Sequence, residues 1–326
     1  MQRKFDGQIE MEKGLILRST GSWYEVERPD GAIVSCRMVG KLRQEDIRLT
    51  NPVGVGDYVH WEMENEEEST GIIREILPRT NYVIRQSPRK KHQLHLLASN
   101  IDQAVLVVTV AHPKLKQGFI DRFLVMTEPY SIPVTIVFNK KDVYKEKDAR
   151  QFEEMRELYT QIGYEVMLVS AFDETDIEKL REHLKDKTTL ISGQSGVGKS
   201  TLVNAIEKGL ELKTSDVSGF TGKGQHTTTF AEMFKLSFGG RIIDTPGIKT
   251  LSFNHLEAMD VAHNFREMFE LSEHCRFHNC THINEPGCAV KEALETGKVH
   301  ELRYQNYLQI LSEIEDQNYW ERHNKY

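Results

Sequence analysis

Residues 138–145 read FNKKDVYK, and residues 193–201 read GQSGVGKST. The second stretch follows an apolar run, TTLISG, and leads into a helix-forming run that begins near Lys199. In that setting glycines let backbone N–H groups close around phosphate oxygens, and the helix N-terminus adds a positive dipole. Lys199 then reaches the β and γ phosphates, and the Ser200 hydroxyl coordinates Mg²⁺. Gly193, Gln194, Ser195, Gly196, Val197, Gly198, Lys199, Ser200 and Thr201 are therefore the expected phosphate cradle. The bland alternative is a glycine-rich turn with no ligand, and the strand before and helix after speak against it.

A phosphate cradle does not choose its base, but Asn139-Lys140-Lys141-Asp142, after the apolar run PVTIVF, does. The Asp142 carboxylate can accept from both N1–H and the 2-amino group of guanine, a charge-assisted bidentate pair. Adenine offers an acceptor where guanine has a donor, and a site left with an unpaired buried carboxylate can discriminate by ~10⁴-fold. Asn139 is expected to tie this loop to the phosphate loop, and the Lys140 stem to lie against the base. Ser170-Ala171 closes the next apolar run, EVMLVSA, and supplies the expected backbone contact to guanine O6, although Ser-Ala alone is a common dipeptide.

Asp244-Thr245-Pro246-Gly247 follows the run GRIID. Asp244 should hold a Mg²⁺-bound water and the Gly247 N–H should sense the γ-phosphate. The loop GKGQHTTTF, residues 222–230, precedes the strand AEMFKLSF and is where a Mg²⁺-binding threonine belongs. Thr228 is chosen from Thr227, Thr228 and Thr229, which loop composition does not separate. As an isolated feature NKKD is an ordinary charged turn. Its arrival with a phosphate loop, a DTPG, a threonine loop and a Ser-Ala, each at a strand end, makes the chain a GTPase that takes GTP, GDP and Mg²⁺.

In an ordinary GTPase the base reader follows the phosphate loop, and here it precedes it. The order is that of a circular permutation, which compact domains tolerate because native termini lie near each other on the surface. The new cut falls just after DTPG, so IKTLSFNHLEAMD runs into whatever follows, and a switch released on hydrolysis would pull on that segment. The residue after DTPG is apolar Ile248, where Ras-like enzymes carry the glutamine that orients water. Intrinsic hydrolysis is therefore expected to be slow. His226 is the best substitute for positioning water, with a solvated loop histidine as the plain alternative.

The chain has 326 residues with 42 Lys plus Arg against 49 Asp plus Glu, a formal net charge of −7, and a sequence pI near 6.0. That balance argues against coating nucleic acid by bulk charge, although a local basic face can bind it. No apolar run approaches the roughly 18–20 residues that span a bilayer, and MQRKFDGQIE lacks the apolar segment of a signal peptide. A cytosolic protein without a membrane or DNA partner is expected, with a monomer as the default.

From Gly14 to about Arg85, short alternating runs are broken by turn residues: GLILRSTGSWYEVE, RPDGAIVSCRMVG, GVGDYVHWEM and TGIIREIL. They suggest a small antiparallel barrel, with the acidic ENEEEST at a hairpin tip. The polar, basic, proline-broken RQSPRKKHQLHLLASN reads as a linker. Continuous apolar runs separated by helices such as DARQFEEMRELYTQIG then describe a parallel sheet covered on both faces. Beyond Leu251 the chain turns helical and polar around a cysteine cluster. The expected units are 1–92, an RNA-binding barrel with its basic linker; 93–255, a P-loop GTPase domain; and 256–326, a helical zinc-binding domain.

Cys275-x4-Cys280-x-His282-x5-Cys288 offers three thiolates and one imidazole, which suits a closed tetrahedral Zn²⁺ site. His274 and His278 are rival ligands less favourably placed, and reduced, unliganded cysteines are the plain alternative. Cys36 reads as core. In the barrel Trp23, Tyr24, Tyr58 and Trp61 lie among Arg18, Arg37, Lys41 and Arg43, with Arg85, Arg89, Lys90 and Lys91 in the linker. Such a set can bind RNA by stacking and charge, although half or more of the aromatics can equally be core.

The barrel, the permuted order, GQSGVGKS, GKGQHTTT, DTPG and CRFHNCTHINEPGCAV together resemble the ribosome small-subunit-dependent GTPase family, RsgA or YjeQ, over nearly the whole chain from about Gly14. The resemblance implies an OB-fold barrel, a GTPase stimulated by the small (30S) ribosomal subunit, and a role in late maturation of that subunit through its rRNA. It also implies Zn²⁺ on Cys275, Cys280, His282 and Cys288, with His226 and Thr228 acting in hydrolysis.

Overall fold

A computed structural model describes residues 11–38, 49, 51–86, 94–210, 212, 231–245 and 256–323. The N-terminal strands are β1 (Glu12–Ser19), β2 (Trp23–Glu27), β3 (Ile33–Met38), β4 (Tyr58–Asn65) and β5 (Thr70–Ile76). Their period-2 pattern turns Ile16, Tyr24, Val26, Val34, Cys36, Val59, Trp61 and Ile73 into one core. Trp61 fills its centre because Gly71 has no side chain: a Cβ there would lie 2.7 Å from the indole.

The five strands close on themselves in the order β1-β2-β3-β5-β4, with β4 pairing back to β1. Four of the pairs are antiparallel and β3–β5 is parallel. The antiparallel expectation is corrected here for a topological reason: an odd number of strands cannot alternate direction all the way around a ring. The acidic stretch does form the β4–β5 turn. A second correction concerns the expected linker. Its end, Leu94–Ser99, is strand β7, paired antiparallel with β6 (Tyr82–Gln86). Leu96, Leu97 and Ala98 are buried, and Leu96 packs where a side chain on Gly54 would sit. The basic residues before it concealed a short apolar strand.

The central sheet holds β8 (Gln103–Val108), β9 (Val134–Phe138), β10 (Glu165–Leu168), β11 (Thr188–Gly193), β12 (Glu232–Lys235) and β13 (Arg241–Asp244) in the order β10-β9-β8-β11-β13-β12. All neighbours are parallel except β12–β13. Alternate residues of the strands face opposite layers. Leu106, Val108, Ile136, Phe138 and Leu190 meet α1 (Gln117–Thr127) and α2 (Glu146–Gln161). Val105, Val107, Val137 and Ile191 meet α3 (Glu174–Leu184) and α4 (Lys199–Ile206). The sheet is thus covered on both faces, as the apolar runs require. β1 of the barrel pairs with β12 at Arg18↔Glu232, which joins the barrel to this sheet.

The C-terminal part contributes α5 (Ala258–His263), α6 (Arg266–Ser272), α7 (Ala289–Glu295) and α8 (Glu301–His323). It docks on α1 and α2 through a buried polar network. Arg303 is 1% exposed and donates to Asp121 Oδ1 at 2.6 Å, to Glu267 Oε1 at 2.6 Å and to Glu267 Oε2 at 2.8 Å. Asp121 also accepts from Tyr159 Oη at 2.7 Å and from Asn306 Nδ2 at 2.5 Å. Beside it, Arg266 pairs with Glu128 at 2.9 Å. Among the described residues, no helix is long and apolar enough to cross a membrane.

Candidate active site and metal centre

The expected nucleotide-site residues among those described gather at the C-terminal ends of adjacent strands, where open α/β sheets place ligands. Gly193 ends β11, and a Cβ there would lie 2.5 Å from Val107 O of the neighbouring strand. Gln194, Ser195, Gly196 and Val197 form the turn, and α4 starts at Lys199, carrying Ser200 and Thr201 in its first turn. Gly198 has φ +88°, and a Cβ on it would come within 2.6 Å of Asn139 Nδ2. Both positions require glycine, one for close approach and one for backbone conformation.

The base loop meets the phosphate loop directly. Asn139 Nδ2 donates to Val197 O at 3.0 Å, and Lys140 Nζ donates to Gly196 O at 2.6 Å and His112 O at 2.7 Å. Lys140 itself adopts φ +69°. Burial draws its ammonium pKa down, with Asp142 opposing. Asn139 is 1% exposed, and its Oδ1 has no hydrogen-bond partner among the described residues. A buried, unsatisfied amide oxygen at this position suits a site completed by a polar ligand. Ser170 Oγ donates to Asp142 Oδ1 at 2.5 Å, so the expected base reader is held by the expected O6 loop.

Several bracing residues were missed in the sequence. Lys141, inside NKKD, reaches Asp173 at 2.7 Å and Asp176 at 2.5 Å, and Asp176 also accepts from the Ser170 N–H at 2.9 Å. Asp173 caps α3 by accepting from the Thr175 and Asp176 N–H groups. The Asp-x-x-Asp spacing after Ser-Ala was a readable cap signal. Tyr144 Oη donates to Asn139 O at 2.9 Å and accepts from the Val110 N–H at 3.1 Å, which no local pattern announces.

On the phosphate side Lys199 Nζ pairs with Asp244 Oδ1 and donates to Thr245 O at 3.1 Å. Burial pushes the Asp244 carboxyl up against the pull of Lys199. The Lys199 ammonium thus stands between the phosphate loop and the end of β13. His226, Thr227, Thr228, Thr229, Pro246, Gly247 and Ile248 lie outside the described residues.

At the metal centre the ligand atoms of Cys275, Cys280, His282 and Cys288 all lie within 4.8 Å of one another. Cys275 Sγ is 3.7 Å and Cys288 Sγ 3.4 Å from His282 Nδ1, and the two sulfurs are 4.0 Å apart. A tetrahedral ion with Zn–S near 2.3 Å and Zn–N near 2.0 Å sets donors roughly 3.5–3.8 Å apart, so the donor set fits zinc. The rivals His274 and His278 are exposed and outside the cluster. Burial pushes the Cys280 thiol up to about 12, an effect that a divalent cation reverses by taking the thiolate. The surrounding turn is built by Glu285, which accepts from the Thr281, Ile283 and Asn284 N–H groups, and by Tyr304 Oη, which donates to His282 O at 2.7 Å.

On the barrel, half of the four aromatics are core, as the alternative reading allowed. Tyr24 and Trp61 are core, Arg37 pairs with Glu64, and Arg18 lies beside Glu25 and Glu232. Trp23 and Tyr58 are exposed at 42% and 39%. Lys41, Arg43, Arg89, Lys90 and Lys91 lie outside the described residues, as does the Arg85 side chain. Cys36 is buried core, as expected, and burial pushes its thiol up to about 12.

Residues 76–254 match the model of the RsgA GTPase family, and residues 13–73 match that of the RsgA N-terminal domain. The chain belongs to the RsgA family of GTPases. RsgA members are GTP-hydrolysing enzymes, and this chain is one. It is 47% identical over 307 residues to the small ribosomal subunit biogenesis GTPase RsgA of Phocaeicola vulgatus, covering 94% of this chain and 98% of that relative. Identity to the RsgA of Christiangramia forsetii is also 47%, over 308 residues, with the same coverage. Among solved structures it is similar to YjeQ from Thermotoga maritima, with a TM-score of 0.73, 34% identity, and coverage of 94% of this chain and 99% of that one. It is likewise similar to YloQ, described as a circularly permuted GTPase, with a TM-score of 0.71, 32% identity, and coverage of 97% and 99%. The permuted strand order and the OB-like barrel are therefore the RsgA arrangement.

Proposed function

We propose that this enzyme hydrolyses GTP in the late maturation of the small ribosomal subunit, binding the subunit and its rRNA in the GTP state and leaving on hydrolysis. The observation that carries the nucleotide reading is the direct seating of Asn139 and Lys140 on the carbonyls of Val197 and Gly196, which makes base and phosphate recognition one unit. The ribosomal reading is supported by relatives named for small-subunit biogenesis whose length this chain covers to 98%.

In this reading Asp142 accepts from the guanine edge, the Ser170-Ala171 backbone meets O6, and Asn139 and Lys140 position the ring. Gly193 to Thr201 wrap the phosphates, with Lys199 moving from Asp244 onto the β and γ oxygens. Ser200 and Thr228, with Asp244 behind them, would hold Mg²⁺, which would supply positive charge to offset that on the phosphates. The Gly247 N–H senses the γ-phosphate, and His226 orients the attacking water in place of the side chain that Ile248 lacks. Zinc on Cys275, Cys280, His282 and Cys288 is structural. We assign residues 1–92 to the RNA-contacting unit, 93–255 to the GTPase and 256–326 to the zinc unit, with the β6–β7 ribbon shared across the first boundary. The protein is cytoplasmic and monomeric on this reading.

Multiple-turnover phosphate release with and without purified small subunits tests it. The rate should rise several-fold or more with subunits and stay low without them. A rate indifferent to subunits overturns the ribosomal part and leaves the GTPase intact.

A further inference from the structure

Among the described residues one strand register ties the barrel to the central sheet, Arg18↔Glu232, and the next one pairs Glu232 with Asp244. Directly opposed residues on antiparallel strands point to the same face, with Cβ atoms about 4.5–5.5 Å apart. Asp244 in turn stands level with Ile191 of β11, on the face covered by α4. Arg18 is also opposite Glu25 of β2. Charges therefore run in a row across the joint, from Lys199 through Asp244, Glu232 and Arg18 to Glu25.

Ion pairs close both ends of this row. Lys199 Nζ pairs with Asp244 Oδ1, while Arg18 lies 4.0 Å from Glu232 Oε2 and 3.7 Å from Glu25 Oε1. Burial pushes the Glu232 carboxyl up, Arg18 pulls it down, and Glu25 and Asp244 push it up again, so the charges that act on it are those of the row. In the reading proposed above, nucleotide takes Lys199 away from Asp244. Asp244 then loses its cation and keeps a like-charged neighbour, which makes the place beside it more attractive to a divalent ion. Ser200 and Asp244 are hard oxygen donors, which suits Mg²⁺. Arg18 is two strands from Asp244, roughly a Debye length away, and so acts through Glu232 rather than on the ion.

Resting on that reading, we infer that Glu232 is a positioning residue of the nucleotide site, which acts through Asp244 to strengthen the hold on the nucleotide's Mg²⁺ and is restrained in this by Arg18. A residue of the barrel thereby belongs to the electrostatics of phosphate binding.

The experiment follows release of a fluorescently labelled, non-hydrolysable GTP analogue from the full chain as free Mg²⁺ is varied. The unaltered protein should release it faster as Mg²⁺ is withdrawn, and the half-effect concentration measures the hold on the ion. Glu232→Gln should raise that concentration by about 3- to 10-fold, the size of one unit charge lost some 6 Å away at an effective dielectric of about 40–80. Release with Mg²⁺ chelated should become no faster. Glu232→Asp, which keeps the charge, should stay close to the unaltered value. Arg18→Gln, at a 41% exposed position that keeps the test open if Glu232→Gln is unstable, should lower the concentration and lose that effect when combined with Glu232→Gln. An unchanged half-effect concentration in Glu232→Gln, or release hastened equally with and without Mg²⁺, overturns the inference, as does Arg18→Gln acting in the same direction as Glu232→Gln. Asp244→Asn is the separate arm. If it raises the concentration while Glu232→Gln does not, only this inference is lost. If release from the unaltered protein ignores Mg²⁺, the assignment of the ion to Ser200 and Asp244 falls, and this inference with it.

Discussion

Asn139 has two jobs that one side chain rarely combines in a buried position. Its amide ties the phosphate loop to the base loop, and its oxygen faces a place with no partner among the described residues. Asn139→Ala removes the tie and leaves the Val197 carbonyl unsatisfied, at a cost of about 1–3 kcal/mol. GDP affinity measured by calorimetry should fall by roughly tenfold or more, with a smaller loss of stability. The placement of Asn139, Asp142, Lys199 and Ser200 at strand ends was legible in the sequence because each stands beside glycines or an apolar run that fixes its place. Tyr144 was not, since its contact to Asn139 O depends on how the loop curls back. The exposed aromatics of the barrel were half legible: only burial separates Trp23 from Trp61.

Among the elements, α3 shows how a cap becomes part of a site. Asp173 satisfies the first N–H groups of the helix and also anchors Lys141 of the base loop. Asp173→Ala should cost about 0.5–2 kcal/mol, read as a lowered thermal midpoint, and should also weaken GDP because Lys141 keeps only Asp176. On the zinc reading, the segment 275–288 would depend on its ion. Removing zinc with a strong chelator, or replacing Cys280 by Ser, should expose Tyr304 and Tyr307 and reduce helical circular dichroism, while the GTPase sheet keeps its core. The barrel strands were predictable from alternation and turns, whereas β7 was hidden because five apolar or small residues followed a run of basic ones. That a closed ring of five strands contains a parallel pair could have been deduced from the count, although not that the pair is β3–β5.

For the whole molecule, the decisive contact is the buried trio of Arg303, Asp121 and Glu267, which sequence could not pair because 182 residues separate Arg303 from Asp121. Arg303→Met should cost about 3–5 kcal/mol in urea unfolding, because it leaves two carboxylates buried without their cation. The same trio constrains how a permuted enzyme can signal. The C-terminal helices are not merely tethered through the stretch after DTPG but are fastened to α1, so the pull expected of a switch there would act against a fixed body.

That fastening also limits how the protein could have been assembled from parts. A transplant of the C-terminal helices onto another nucleotide-binding domain would carry Arg303, still paired with Glu267, and Asn306 to a surface without Asp121. The recipient would be left with a buried guanidinium that keeps Glu267 but lacks its second carboxylate. Chimeras should therefore be viable only when the host supplies a carboxylate in the place of Asp121, so inheritance of the two pieces is expected to be joint.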